Sequence, residues 1–406
     1  MAPTVALLGT LDTKGAEYEF LRQRVAAAGC DPLLIDCGVY PPEGATPGVP
    51  ATRVAQAAGT TVERLREAAD RGAAVARMAD GAAAILRELS EAGRVQAALA
   101  VGGSGGTAIA ARAMAALPIG TPKLIVSTVA SGDTRPYVGA RDVAMMYSVV
   151  DIAGINRFSA RILGNAAAAV AGMAGAAEPR VPPRPLVGTS MFGVTTPSVT
   201  AARGNLEQAG FEVLVFHATG TGGQSLEALA ADGYLAGVLD ITTTELADEL
   251  VGGVMSAGAD RLRVAGRHGL PQVVSVGAVD MVNFAAPETV PAAFADRLFY
   301  HHNPNVTLMR TTAEECAEIA RRIAARLNEA TGPVTLFLPL GGVSALSVAG
   351  QPFHDADADA ALFATLREHV DPARVELREL DTDINDPTFA SAMTDRLTQL
   401  IQEHHT

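Results

Sequence analysis

Short apolar runs, closed by glycine, threonine or aspartate, alternate along this chain with longer segments of helical periodicity. That alternation predicts parallel βαβ units rather than hairpins or helical bundles. Val5-Ala-Leu-Leu8 reads as the first strand and stops at Gly9-Thr10. A helix is expected from about Glu17 to Ala28, with Gly29 placed for a left-handed C-terminal cap. Pro32 to Asp36 reads as the second strand, and a Pro/Gly-rich loop takes residues 40 to 50. A long helical region then opens on the capping-box pair Thr60 and Glu63 and runs to Gly93; its length and glycines predict two helices. Val95 to Val101 is a buried strand leading into Gly102-Gly-Ser-Gly-Gly106 and a helix to Leu117. Lys123 to Ser127 and Ala144 to Val150 read as further strands, and Ile155 to Gly175 as a helix.

The segment Glu178-Pro-Arg-Val-Pro-Pro-Arg-Pro185 cannot continue a helix and predicts a domain boundary. The expected organisation is an N-terminal nucleotide-binding domain over 1–178, a Pro-rich linker over 179–185 and a C-terminal α/β domain over 186–406. The second half repeats the grammar of the first, Leu186-Val-Gly188-Thr189 matching Leu7-Leu-Gly9-Thr10. Later strands are expected at 234–240, 272–276, 305–309 and 334–338, with a last helix near 387–403. The fold class is therefore α/β, two Rossmann-like three-layer domains with largely parallel sheets.

Composition sharpens this picture. With 406 residues, 49% of them hydrophobic, the chain has material for two cores of ordinary size. Tryptophan is absent and the net charge is −13, with no Lys/Arg cluster, so nucleic acid and anionic membranes are poor partners. Any anion site must be built locally from backbone N–H groups and a few placed cations. Cys30, Cys37 and Cys316 make no metal spacing, and a sparse, odd count fits a reducing compartment. The N-terminus has no basic leader and the longest small-apolar stretch, 166 to 177, is too short for a bilayer, so a cytoplasmic location is expected.

In open parallel sheets ligands collect where strands end and helices begin. Gly9-Thr-Leu-Asp-Thr-Lys-Gly15 puts a cation, Lys14, beside the hydroxyls of Thr10 and Thr13 and the carboxylate of Asp12. Lys14 is expected to neutralise phosphate, and Asp12 to hold Mg²⁺ or a ribose hydroxyl. The order is neither Walker A nor a dinucleotide fingerprint, and the latter absence disfavours a nicotinamide oxidoreductase. Gly102, Gly103, Ser104, Gly105, Gly106 and Thr107 follow an apolar strand and open a helix, the geometry a phosphate needs. Asp36, at a strand end, is a candidate for a ribose hydroxyl. Thr128, Ser131, Gly132 and Asp133 are expected as the far wall, with Asp133 a second candidate for Mg²⁺.

The second half offers Thr195, Asp240, His302 and His354 as candidates for acid–base chemistry. His302 belongs to the polar run His301-His302-Asn303-Pro304-Asn305, and His354 precedes an acidic helix. No HExxH, paired-cysteine or Gly-x-Ser-x-Gly spacing accompanies them, and a lone histidine is more often structural.

Several longer stretches resemble a known family. They are 9–15, Leu99 to Thr107, Leu117 to Lys123, Ser127 to Asp133, Met145 to Asn156, His302 to Thr312 and Pro352 to Asp355. The family groups bacterial proteins of unassigned function with the ATP-binding N-terminal region of the tomato protein that confers tobamovirus resistance. The resemblance implies a two-domain α/β architecture, ATP in the N-terminal domain and a homodimer. The expected function is thus an ATP-binding protein, an enzyme acting on a small metabolite between its domains. Two alternatives stand beside it: a nucleotide-independent hydrolase or lyase using second-domain residues, and a non-catalytic, nucleotide-regulated dimeric binding module.

Overall fold

A computed structural model describes residues 2–177 and 181–404. Residues 179 and 180 of the expected linker, residue 178 of the first expected domain and residues 405–406 lie outside the described residues. The chain divides into two compact units, residues 1–180 and 181–406.

The first unit runs β1 (Thr4–Gly9), α1 (Leu11–Ala27), β2 (Asp31–Asp36), α2 (Ala51–Ala57), α3 (Val62–Glu67), α4 (Arg71–Glu91), β3 (Ala97–Gly102), α5 (Ser104–Met114), β4 (Lys123–Ser127), α6 (Arg135–Val138), β5 (Ala144–Tyr147) and α7 (Arg157–Ala174). Its strands form a parallel sheet in the order β2-β1-β3-β4-β5. Successive residues of a strand face opposite sides. Ala6 and Leu8 accordingly join the core under α2, α4 and α5, while Val5 and Leu7 join the one under α1 and α7. The three layers follow from that alternation.

Two local readings are revised. α1 starts at Leu11 rather than near Glu17, so the polar residues after Gly9 form its first turn, with a kink at Lys14. The Leu11 N–H is held by the Asp36 carboxylate at 3.2 Å, a contact from 25 residues away that no local pattern encodes. The region 60–93 is two helices, but its cap is Thr61, whose hydroxyl accepts from Arg64 N–H, not Thr60.

The second unit runs β6 (Leu186–Met191), α8 (Thr196–Gln208), β7 (Glu212–His217), α9 (Thr221–Ala231), β8 (Leu235–Thr242), α10 (Glu245–Val251), α11 (Val264–Arg267), β9 (Gln272–Gly277), β10 (Met281–Phe284), β11 (Phe299–Asn303), β12 (Val306–Arg310), α12 (Ala313–Asn328), β13 (Val334–Pro339), α13 (Ala356–His369), β14 (Val375–Leu380) and α14 (Pro387–His404). Its main sheet is parallel, ordered β14-β13-β9-β8-β6-β7. The first three strands of this unit therefore lie in the same relative order as β2-β1-β3. A small antiparallel sheet, β10-β12-β11, is an addition that the sequence pattern did not announce. Among the described residues no helix is long and apolar enough to cross a membrane.

Candidate functional site

In the order β2-β1-β3-β4-β5 the chain leaves β1 toward one edge and returns to begin β3 on the other side. The loops after β1 and β3 then diverge and open a crevice at the carboxyl ends of these two strands. Here α1 runs to one face of the sheet and α5 to the other. A cavity of about 520 Å³ lies at this crevice. It is walled by the first turn of α1, the loop after β2, the α3–α4 junction and the start of α5.

Each wall is made differently. At the α5 end, Gly102 approaches so closely that a Cβ there would lie 3.0 Å from Gly106 Cα. The first intrahelical bond is Thr107 N–H to Gly103 carbonyl at 2.9 Å, so the N–H groups of Ser104, Gly105 and Gly106 have no acceptor in the helix. They make the positive end of an eleven-residue helix. A Cβ on Gly105 would lie in van der Waals contact with Arg71 Nη2 (3.8 Å) and Val75 Cγ2 (3.9 Å).

Arg71, at the start of α4, has no hydrogen-bond or ion-pair partner among the described residues, and it lines the cavity. Arg66 also lines it; its Nε donates to the Val39 carbonyl and its guanidinium lies 5.5 Å from the Tyr40 ring centre. Asp12 accepts at Oδ2 from the N–H groups of Val39 (3.1 Å) and Tyr40 (3.0 Å), fixing the loop after β2. Its Oδ1 is buried with no partner. Leu65, Val75, Met78 and Ile109 are the apolar part of the lining. Between α3 and α4, Ala69 takes a left-handed φ of 50°, costly for a residue with a Cβ.

The structure brings Thr10, Asp12, Thr13, Gly105 and Gly106 of the expected set onto the cavity. Gly9 and Gly102 are close-packed backbone off the lining, Gly103 is half-buried and also off it, and Ser104 is the exposed first residue of α5. Other members of that set stand elsewhere. The Lys14 ammonium donates to the Ile152 carbonyl and is not on the lining. Asp36 is buried and spends Oδ1 on Leu11 and Gly38 N–H groups; burial raises its pKa. The Thr107 hydroxyl is bound between Gly103 carbonyl and Ser127 Oγ (2.8 and 2.6 Å). Thr128 N–H donates to Gly102. Ser131, Gly132 and Asp133 form an exposed turn in which Arg135 clamps Asp133 with both ends of its guanidinium, lowering the carboxyl to about 2.

Arg66, Arg71 and the apolar side went unnoticed in the sequence. The only local signal was the break between two helices near Ala68–Asp70, which says that the chain turns there but not toward what.

In the second unit, Thr195 is buried, hydroxyl to hydroxyl with Thr242 at 2.7 Å. Asp240 accepts from Ser190 (2.6 Å) and forms a two-pronged ion pair with the fully buried Arg261, which also holds Glu245 and Glu227. His302 is exposed on the β11–β12 hairpin, and His354 holds the Ser347 carbonyl at 3.0 Å through Nδ1. No hydrogen bond joins these four candidates to one another. Among the described residues no group of three or more His, Cys, Asp or Glu is placed to share a metal ion.

Comparison with known proteins gives a match over nearly the whole chain. Residues 3–179 match the N-terminal domain, and residues 184–401 the C-terminal domain, of the uncharacterised protein family UPF0261. A UPF0261 protein of Clostridium tetani is 48% identical over 404 residues, covering 99% of this chain and 100% of that protein. One from Mesorhizobium japonicum is 47% identical, covering 96% of this chain and 97% of that one. The tomato ToMV resistance protein Tm-1 is 45% identical over 306 residues, 74% of this chain but 41% of the tomato protein.

Proposed function

Since the chain belongs to the uncharacterised protein family UPF0261, whose name assigns no activity, we propose from its own chemistry that the first unit binds a nucleotide, ATP, in the crevice between β1 and β3. The observation that carries the reading is the coincidence, in one 520 Å³ cavity, of the free N–H groups opening α5, the unpaired Arg71 guanidinium and apolar side chains. A nucleotide has the same division. Its phosphates are suited to the helix N-terminus and Arg71. Its base is suited to Leu65, Val75, Met78 and Ile109, and its ribose hydroxyls to Thr10 and Thr13. Asp12 lines the cavity, and its carboxylate is suited to Mg²⁺ carried in with the phosphates. Binding to the native state raises its melting temperature in proportion to the logarithm of ligand over dissociation constant.

A thermal-shift titration with ATP, ADP, GTP and NAD, with and without Mg²⁺, tests the proposal. ATP is expected to stabilise most, and ADP less because it offers α5 and Arg71 one phosphate fewer. Absence of stabilisation by every nucleotide at millimolar concentration overturns it.

A further inference from the structure

We propose that the β5 edge of the first unit's sheet, with the segment 147–158 beside it, is a docking face for a second copy of this chain, joined about a two-fold axis. The segment overlaps the long stretch Met145 to Asn156, which the nucleotide reading leaves without a role.

Three features converge here. The first is apolar exposure. Among the described residues twelve large hydrophobic side chains are exposed. Five of them, Tyr147, Val149, Val150, Ile155 and Phe158, fall in this one segment, at 40–53% exposure. Scattered exposed hydrophobics need no explanation, but a cluster rimmed by charge marks a contact surface. The second is an uncovered edge. β5 pairs with β4 on one side, and among the described residues no strand pairs with it on the other. Ala144-Met-Met-Tyr147 carries none of the charges, prolines or bulges that keep an edge strand from pairing with another chain. The third is strain. Val149, just beyond the edge strand, takes a φ of 66°, a left-handed conformation that β-branched residues avoid. Its side chain is exposed, so burial within the unit does not offset the cost.

The face is held in shape before anything docks. Ser148 Oγ donates to the Val150 carbonyl at 2.7 Å, and Glu17 of α1 accepts from Gly154 N–H at 2.7 Å. The Lys14 ammonium holds the Ile152 carbonyl, and Asn156 caps α7. A surface fixed in advance loses little conformational freedom on binding.

The charges select a second copy as the occupant. Asp151 and, on α7, Arg157 and Arg161 are exposed, and no ion pair holds any of them. The patch thus carries both signs unmet. A two-fold contact sets a patch against itself and must be self-complementary. It offers Asp151 of one copy to the arginines of the other. A partner of a single sign would set like charges together at one end of the patch. The same axis, at right angles to β5, lays the two edge strands antiparallel, so that the sheet continues from one copy into the other.

Sedimentation velocity on the full chain, free of nucleotide, is the test. The native chain is expected to sediment as a dimer at micromolar concentration. Val149→Glu and Phe158→Glu, at exposed positions on the loop and on α7, are each expected to weaken association roughly a hundredfold by placing a charge in an apolar contact. Their circular dichroism spectra are expected to match the parent's. A second arm reads the charges. Asp151→Arg makes the patch wholly basic, and the double variant Arg157→Asp/Arg161→Asp makes it wholly acidic. Each alone is expected to dissociate, and their equimolar mixture to recover the dimer. A monomeric native chain, a dimer that survives both glutamate variants, or a mixture that stays monomeric overturns the proposal.

Discussion

The Tyr18 hydroxyl occupies the space that a side chain on Gly9 would need: a Cβ built at Gly9 overlaps the phenolic oxygen. That oxygen bonds the Leu8 carbonyl and, at 3.0 and 2.9 Å, the carbonyl and N–H of Val101. It thereby ties β1 to β3 where the two strands part to open the crevice. Burial pushes its ionisation up, so it stays a neutral donor at any ordinary pH. Gly9→Ala is expected to cost roughly 1–3 kcal/mol by forcing Tyr18 out of place. Urea denaturation measures this, and a stability within 0.5 kcal/mol, about the usual scatter of neutral substitutions, would mean the contact is dispensable.

Arg71 and Lys14 separate two accounts of the phosphate cation. Arg71 lines the cavity unpaired, whereas the Lys14 ammonium holds the Ile152 carbonyl. Arg71→Ala is expected to weaken ATP tenfold or more, with the ligand-free melting temperature nearly unchanged. Lys14→Ala is expected to act in the opposite way, lowering stability with little change in affinity. Titration calorimetry on both variants decides; a larger affinity loss at Lys14 would return it to the phosphates.

Gly105→Val tests the α5 end of the cavity. A Cβ there meets nothing nearer than Arg71 Nη2 at 3.8 Å and Val75 Cγ2 at 3.9 Å, so the fold has room for it and the ligand does not. The variant is expected to melt like the parent and to show no ATP-dependent shift. Retained binding would remove the start of α5 from the site.

What the sequence made legible was whatever local pattern encodes. Val5–Leu8 and Ala97–Val101 are continuous apolar runs bounded by glycine, and both are strands at the expected places. The parallel order and the helical opening at Gly102–Gly106 follow from βαβ grammar. Distant contacts were hidden. The early start of α1 depends on Asp36 receiving Leu11 N–H, and the cation facing α5 comes from Arg71, more than thirty positions upstream in an otherwise ordinary helix. The β11–β12 hairpin was equally opaque, because His301-His302-Asn303 reads as polar loop until Thr307 and Phe299 show which face is covered.

Arg261 is the hub of the second unit's interior. It is fully buried and holds Asp240, Glu245 and Glu227, all themselves buried. Replacing such an ion cluster entirely is often tolerated, whereas removing one partner strands the others. Arg261→Met is therefore expected to cost about 3–5 kcal/mol. The deficit is expected to shrink at acid pH, because burial has already raised the pKa values of Glu227 and Glu245. Equal deficits at pH 5 and pH 8 would show that the carboxylates are solvated once the arginine is gone.

Asp248 makes stability depend on pH in a direction opposite to that of an ordinary paired carboxylate. It is buried, receives the N–H and the side-chain amide of Asn283 at 2.6 and 2.8 Å, and feels Glu245 nearby. Desolvation dominates and lifts its pKa from 3.8 to about 7. The native state thus binds this proton more tightly than the unfolded chain does. Its contribution is complete below the unfolded value near pH 4, falls as pH rises, and is lost once pH passes about 7. The range spans on the order of 2–4 kcal/mol. The neutral acid also has a partner at hand: Asn283 Oδ1 is buried and unpaired, and a flip of that amide lets it accept the Asp248 proton. Asp248→Asn keeps the shape and the neutral state at every pH. It is expected to flatten the fall in urea-denaturation stability between pH 5 and pH 8. An unchanged slope in the variant would assign that fall to other buried acids, of which Asp280, raised to about 6 by burial beside Ser344, is the next to replace.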